Sequence, residues 1–423
     1  MGFAGGGAFI GSGGTGQATR LWPLGSITAS VGKKKGKGAP IKVLIMMSDT
    51  GGGHRASAQA LKAGFEQLYG KKYTVEIVDC WTKHTSWPTN QVPKTYSFMM
   101  KNAWMWRIAF NVTQPRIVHV PMQTVNTVLN SRRLNEAFDE YDPDLVISVH
   151  PVMQQTPITI LKARSKKGAK AVPFATVVTD LTKCHNTWFH PQVDRCFVPT
   201  QEMRAQAKSL GLKDQQLVVH GLPIRPVFSQ TMPSRTKLRK MLGLKTNKKT
   251  LLLCAGGEGM GSLEQTLKAL SRADTDCQVV AICGRNQKLV AKLEAAAWSP
   301  HMHVVVKGFV DNMHQFMGAS DAIITKAGPG TIAESLICGL PIILNGFVPC
   351  QEYGNVAYVT DNGVGAFERA PDKIAAIVRD WFGPAAGELE AMSARAKAMG
   401  RPGALFRIVE DLAAMAQQAM VPA

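Results

Sequence analysis

From residue 41 onward the chain repeats one pattern: a short apolar, mostly β-branched run, a glycine-rich turn, then a stretch with apolar positions at helical spacing. The first half offers IKVLIMM (41 to 47), TVEIVD (74 to 79), DLVISV (144 to 149), FATVV (174 to 178) and RCFVPT (195 to 200). The second offers TLLLC (250 to 254), CQVVAIC (277 to 283), HVVVKG (303 to 308), DAIIT (321 to 325) and PIIL (341 to 344). Such runs predict two series of buried parallel strands. Two prolines interrupt the pattern at GLPIRPVF (221 to 228), so the expected fold is α/β, two Rossmann-like doubly wound domains facing a cleft. Ligands of such sheets bind beyond the carboxyl ends of the strands, and residues just after each strand are where chemistry is sought.

Composition narrows the class. With 423 residues, 45% hydrophobic and 19% charged, the chain is long enough for two domains with real cores and is neither disordered nor collagenous. Lys and Arg outnumber Asp and Glu by 49 to 30, and the excess is uneven: 5 against none in residues 1 to 40, 23 against 13 in 41 to 225, 21 against 17 in 226 to 423. A basic first half attracts a polyanion, whether nucleic acid, an anionic membrane surface or a phosphorylated ligand. Residues 1 to 40 are rich in Gly and Ser and read as a disordered basic arm or the tail of an organelle transit segment. The eight cysteines form no C-x-x-C pair and read as reduced, mostly structural thiols. Apolar runs are broken by Gly, Pro and Asn, so any membrane contact is expected to be peripheral.

Three glycine-rich motifs follow strands. SDTGGGHRAS (48 to 57) follows the first strand and opens a helix to about Tyr69; its glycines let the backbone approach a ligand, and His54 lies at the mouth of the cleft, where a neutral imidazole can take a proton. The alternative is a tight turn with a helix-capping histidine. AGGEGMG (255 to 261) and AGPGTIAE (327 to 334) suit phosphate cradles, with Glu334 one helical turn on and able to receive ribose hydroxyls. Neither is a P-loop, because no Lys-Ser or Lys-Thr follows at the required spacing. QEYGN (351 to 355) groups Gln351, Glu352 and Asn355, amides and a carboxylate that suit sugar hydroxyls; the alternative is an exposed polar helix start.

Other signals carry less. GSGGTG (11 to 16) lies in the basic arm with no acidic ribose partner. Asp142-Pro143-Asp144 has the D-x-D form of metal-dependent sugar transferases but precedes its strand and reads as a turn. Cys184, His185 and His190 lack metal-site spacing and read as structural. Residues 81 to 107 hold Trp81, Trp87, Trp104 and Trp106 with Phe98, Met99, Met100 and Met105, interleaved with Lys94, Lys101 and Arg107. That mixture suits a surface dipping into lipid headgroups, with a buried aromatic cluster as the alternative.

Taken together, SDTGGGHRAS, HTSWPTNQ (84 to 91), SVHPVMQ (148 to 154), TDLTKCHNTWFH (179 to 190), GLPIRP (221 to 226), GGEGMG (256 to 261), ITKAGPGTIAE (324 to 334) and QEYGN resemble the plastid monogalactosyldiacylglycerol synthases, relatives of the peptidoglycan N-acetylglucosaminyltransferase, from about Ile41 to about Glu410. Ala255 stands where the family usually has Gly, and the segment before CQVVAIC is shorter. The resemblance implies a GT-B fold: an acceptor and membrane-binding domain (41 to 225), a UDP-galactose domain (226 to 400) and a final helix (401 to 423) crossing back. It implies an inverting transfer of galactose from UDP-galactose to the sn-3 hydroxyl of 1,2-diacylglycerol by a peripheral protein of the plastid envelope, the inner envelope being the expected membrane.

By the same resemblance His54 is the base, Glu334 the ribose contact, Gln351 and Glu352 the sugar readers, and Phe309 lies near the uracil. Pro88 and Trp188, with Gly52 and Gly53, fall to the acceptor and anionic-lipid side. Gly257, Glu258, Gly259, Gly328, Pro329, Gly330, Thr331 and Asn355 complete the donor site, with Lys326 or Arg285 helping to stabilise departing UDP. Asp180 is expected to orient His54 or the acceptor. No metal or other cofactor is expected, and phosphatidylglycerol or phosphatidic acid is the expected activator. Two other readings stand beside this one: the same fold with UDP-glucose or a lipid-linked saccharide, and a basic nucleic-acid-binding protein, against which stands the lack of any RRM, KH or zinc-finger pattern.

Overall fold

The computed structural model describes residues 38–49, 52–254 and 263–420. Most of the basic arm, including GSGGTG, lies outside the described residues, as does the loop holding Gly257, Glu258 and Gly259.

Among the described residues, twelve strands form two six-stranded parallel sheets. The first contains β1 (Ile41–Met47), β2 (Tyr73–Asp79), β3 (Leu145–Ser148), β4 (Phe174–Val177), β5 (Arg195–Val198) and β6 (Leu217–Val219), in the order β2-β1-β3-β4-β5-β6. The second contains β7 (Thr250–Cys254), β8 (Gln278–Ile282), β9 (His303–Lys307), β10 (Ala322–Lys326), β11 (Ile342–Gly346) and β12 (Gly365–Phe367), in the order β12-β11-β10-β7-β8-β9. All ten strands expected from the apolar runs are present; β6 and β12, three residues each at sheet edges, are too short to announce themselves.

Strand alternation explains why the runs are apolar throughout. In β1, Leu44 and Met46 face a core with Leu134, Phe138, Ile158 and Trp188, whereas Val43, Ile45 and Met47 face Leu61 and Phe65. In β7, Leu252 and Cys254 face one layer and Leu251 and Leu253 the other. Both faces of each sheet are covered, so every position is selected for burial.

The second face of β1 is closed from far along the chain. The helix Ala404–Gln418 lays Leu405, Ile408, Val409 and Leu412 onto the core of the first sheet. Gly64 makes that approach possible: a Cβ there would lie 2.9 Å from Val409 Cγ2 and 3.3 Å from Leu405. Gln417 Nε2 donates to Tyr73 Oη at 3.0 Å, and His220 Nε2 lies 2.9 Å from Asp411.

Between β2 and β3 the chain inserts a short helix (Cys80–His84), a 3-10 turn (Thr89–Gln91) and three longer helices, α1 (Val92–Lys101), α2 (Ala103–Thr113) and α3 (Arg116–Tyr141). Asp142 ends the last of them in a left-handed conformation (φ 41°), and Asp144 accepts from Lys42 N at 2.7 Å and pairs with Lys170. The D-x-D is thus a turn at the amino end of β3, away from the cleft. The eight cysteines, all among the described residues, are free thiols.

Candidate active site

Strand order determines where the site forms. In the first sheet the chain reverses direction of winding between β1 and β3, and a crevice opens beyond their carboxyl ends. The helix Gly52–Tyr69 starts there, with Gly52 and Gly53 exposed and His54 in its first turn. His150 follows β3, and the two imidazoles meet edge to face with centroids 4.7 Å apart; the Trp188 ring is 6.0 Å from His54. His54 Nδ1 is 2.9 Å from the hydroxyl of Thr179, just past the end of β4. Burial pushes His54 down to about 4, partly offset by a hydrogen bond to the Val149 backbone, so the imidazole is neutral at physiological pH. Burial also holds His150 well below its ordinary value, and the neighbouring His54 adds to the effect.

Asp180 joins the two halves. Its Oδ2 accepts from the Trp188 indole N–H at 2.8 Å and its Oδ1 from Gln351 Nε2 at 3.1 Å. Burial raises the carboxyl to about 6, the two donated hydrogen bonds lower it, and the charge of Glu352 raises it again. Other contacts cross the cleft beside it. Thr182 Oγ1 donates to Asn355 Oδ1 at 2.9 Å, and Trp106 Nε1 donates to Pro349 O at 3.1 Å.

The second sheet contributes a polar cluster. Glu352, 5% exposed, accepts from Lys326 Nζ at 2.5 Å and from Val348 N at 2.8 Å, while buried Asn355 donates to Ala327 O at 2.9 Å. These residues are therefore not an exposed helix start. The helix Pro329–Cys338 begins after β10, with Gly328 at its N-cap and free space beside Gly330, so its first N–H groups are open to an anion. In that helix Glu334 is bound by Arg225 from the linker, through Nη2 at 3.0 Å and Nε at 3.2 Å; burial raises its carboxyl and the guanidinium lowers it. Beyond β8 and β9, Arg285 lies 5.6 Å over the ring of Phe309, which is 57% exposed and offers a flat face.

One expectation needs correcting and one is narrowed. Trp188 is 0% exposed and lies beneath Asp180, so it supports the site from below and presents nothing to a lipid. Of the two roles expected for Asp180, orienting His54 or the acceptor, the contact to His54 is made by its neighbour Thr179, while Asp180 binds Trp188 and Gln351. Thr179, Thr182, His150 and Arg225 carry no site role in the sequence reading, although all four stand in the motifs TDLTKCHNTWFH, SVHPVMQ and GLPIRP, and Trp106, read there as part of a lipid-facing segment, turns to the cleft; position beyond β3 and β4 is the available signal for the first three.

The longer inserted helices expose apolar side chains. Pro88 and Trp87 are exposed beside them. On α2, Trp104, Ile108 and Val112 recur at i, i+4 and i+8 and are 65%, 55% and 55% exposed; Met122, Val125 and Leu129 continue the apolar surface on α3. Residues 80 to 135 contain seven Lys and Arg and no Asp or Glu. The tryptophan-rich segment is divided: Trp81 is buried, while Trp87 and Trp104 are exposed. No helix among the described residues is long and apolar enough to cross a membrane.

Residues 54–224 match the family described as Monogalactosyldiacylglycerol (MGDG) synthase, and residues 250–399 the glycosyltransferase family 28 C-terminal domain. The chain is 49% identical over 380 residues to monogalactosyldiacylglycerol synthase 1, chloroplastic, of Arabidopsis thaliana, covering 88% of this chain and 70% of that one. It is 49% identical over 386 residues to a probable monogalactosyldiacylglycerol synthase, chloroplastic, of Nicotiana tabacum, covering 90% and 71%. Among solved structures, MurG of Acinetobacter baumannii matches with a TM-score of 0.57 at 13% identity, over 89% of this chain and 100% of that one, a likeness of fold alone.

Proposed function

Because the chain belongs to the monogalactosyldiacylglycerol synthase family, we propose that it transfers galactose from UDP-galactose to the sn-3 hydroxyl of 1,2-diacylglycerol, with inversion to a β linkage, as a peripheral protein of the plastid envelope. The observation that carries the chemistry is a neutral imidazole at one lip of the cleft, His54, linked through Thr179 and Asp180 to the Gln351 and Glu352 cluster at the other.

Inversion requires one in-line displacement. The acceptor oxygen forms a bond to the anomeric carbon as the bond to UDP breaks, and the acceptor proton goes to a base. A positioned base contributes about 10²- to 10⁴-fold, and His54 has the protonation state for it. Gln351 and Glu352 suit the galactose hydroxyls. Glu334, fixed by Arg225, suits the ribose, and Phe309 with Arg285 the uracil end. UDP leaves as an anion, and the N-terminus of the helix Pro329–Cys338, with Lys326 beside it, supplies positive potential where that charge develops.

The acceptor is a membrane lipid, and the basic, acid-free segment carrying Trp104, Ile108 and Val112 suits an anionic bilayer surface. Phosphatidylglycerol or phosphatidic acid is accordingly expected to raise the rate, and Pro88 lies on that side. The test is incubation with UDP-galactose or UDP-glucose and diacylglycerol in mixed anionic vesicles, following UDP release and lipid product. Galactolipid from UDP-galactose alone is expected. A glucolipid would reassign the donor, UDP release without lipid product would reassign the acceptor, and a rate indifferent to added anionic lipid would remove the activator.

A further inference from the structure

We propose that Thr179 is the positioning residue of His54, and that the segment it begins, residues 179 to 182, ties the setting of that imidazole to the donor domain. The inference rests on His54 being the base.

An imidazole accepts a proton through one ring nitrogen only while that nitrogen keeps its lone pair; the other then carries hydrogen and needs an acceptor. The Thr179 hydroxyl stands 2.9 Å from Nδ1 and, with the Val149 backbone that also bonds the ring, fixes the orientation in which the imidazole faces the cleft. A triad carboxylate fixes its histidine in the same way, and here a neutral hydroxyl does it. Thr179 is 8% exposed, the rings of His150 and Trp188 wall the imidazole, and Thr179 supplies the side-chain hydroxyl at Nδ1 beside the backbone bond to Val149.

The next three residues all reach into the second half. Asp180 accepts from Gln351 Nε2. Leu181 is buried in the core of the second domain with Phe228, Leu252 and Ile323. Thr182 donates to Asn355, whose amide in turn holds Ala327 O in the loop preceding the helix Pro329–Cys338. Gly354, in the helix Tyr353–Asp361 that carries Asn355, presses on the same spot: a Cβ there would lie 2.5 Å from Thr182 Oγ1, leaving no slack between the segment and that helix. A ligand that shifts Asn355 or the loop at Ala327 therefore shifts the residue holding the base.

The full chain is assayed with UDP-galactose and diacylglycerol in mixed vesicles, comparing Thr179→Val and Thr179→Ser with the parent. Valine keeps the shape and removes the hydroxyl partner of Nδ1. It is expected to lower kcat by about 10- to 100-fold, a share of what a positioned base supplies, with the KM for UDP-galactose within about twofold, and serine to restore most of the loss. In a His54→Ala background, Thr179→Val should cost nothing further, because the two act as one unit. Thr182→Val should also lower kcat, by about fivefold, through the same histidine. An inactive His54→Ala with a fully active Thr179→Val overturns this inference alone. An undiminished His54→Ala overturns the base reading as well. Additive losses in the double variant mean that Thr179 acts only on the fold, and an unchanged Thr182→Val removes the link to the donor domain.

Discussion

The two halves of the molecule have the same number of parallel strands among the described residues, yet they are wound differently. In the first, the order β2-β1-β3-β4-β5-β6 places the switch of winding between β1 and β3; in the second, the order β12-β11-β10-β7-β8-β9 places it between β7 and β10. The first crevice is furnished with imidazoles, His54 and His150, and bordered by helices whose apolar side chains face solvent. The second is furnished with an open helix N-terminus, a buried carboxylate and amides, and its half exposes few large apolar residues, Phe309 and Tyr353 among them. Each half thus supplies a crevice at its own switch point, and the residues placed in the two divide the labour. One suits an alcohol that arrives in a lipid, the other a sugar attached to phosphate. Asp180 stands where the two meet.

The sharpest way to break this division is His54→Ala. It should lower galactosyl transfer by about 10²- to 10⁴-fold while leaving UDP binding, measured by calorimetry, nearly unchanged. Loss of UDP binding as well would show that the first crevice also holds the donor.

A second test uses Ile108→Asp with Val112→Asp, which charges the apolar stripe. Each substitution forfeits part of the roughly 1.5–3 kcal/mol that full burial of such a side chain provides. Vesicle retention should fall by tenfold or more, with transfer to detergent-dispersed diacylglycerol retained. An unaltered partition in vesicle flotation would mean that another face meets the membrane.

The junction can be probed by pH. Asp180 is raised to about 6 and His54 lowered to about 4, both by burial first of all. If the ionised carboxylate is the form that holds Gln351 and Trp188, kcat/KM in the free enzyme should fall below about pH 6, and Asp180→Asn should move that limb towards pH 4. A limb that stays at pH 6 in the variant would assign it elsewhere. The two groups act oppositely on stability. The proton on Asp180 favours the fold, a contribution complete below its ordinary carboxylate value and lost as pH rises through about 6. Neutral His54 favours the fold above its ordinary value near 6.5, and that contribution is lost as pH falls through about 4.

The smallest expected effect is on the tie between the chain's end and the first sheet. Tyr73→Phe removes the hydroxyl that receives Gln417 and donates to Ala413 O at 3.4 Å. It should cost about 1 kcal/mol, read as a small drop in thermal midpoint with transfer unchanged. A large loss of activity would mean that this helix also sets the cleft.

Much of this was legible in the chain itself. Ten apolar runs mark ten strands, because a parallel sheet covered on both faces requires apolar residues at successive positions, and their short length with glycine-rich turns behind them separates them from buried helices. Glycines after β10 and the histidine after β1 were marked by position, since carboxyl ends of such strands are where ligands bind. Other features depended on contacts distant in sequence. Nothing local distinguishes Thr179 from other threonines after strands; it becomes a partner of His54 only when residues 125 positions apart are brought together. Trp188, in a motif suggestive of lipid, proved to be buried, because the indole N–H finds its acceptor in Asp180 beneath the cleft and not in a headgroup. The apolar stripe on α2 and α3 has helical periodicity that would equally serve a core. Sequence alone therefore determined which elements form and which chemistry the cleft can carry, since both depend on residue type and spacing. Which residues are buried, which partner each other and which face the membrane was decided by tertiary packing, because burial and hydrogen bonding belong to pairs of residues that the chain keeps far apart.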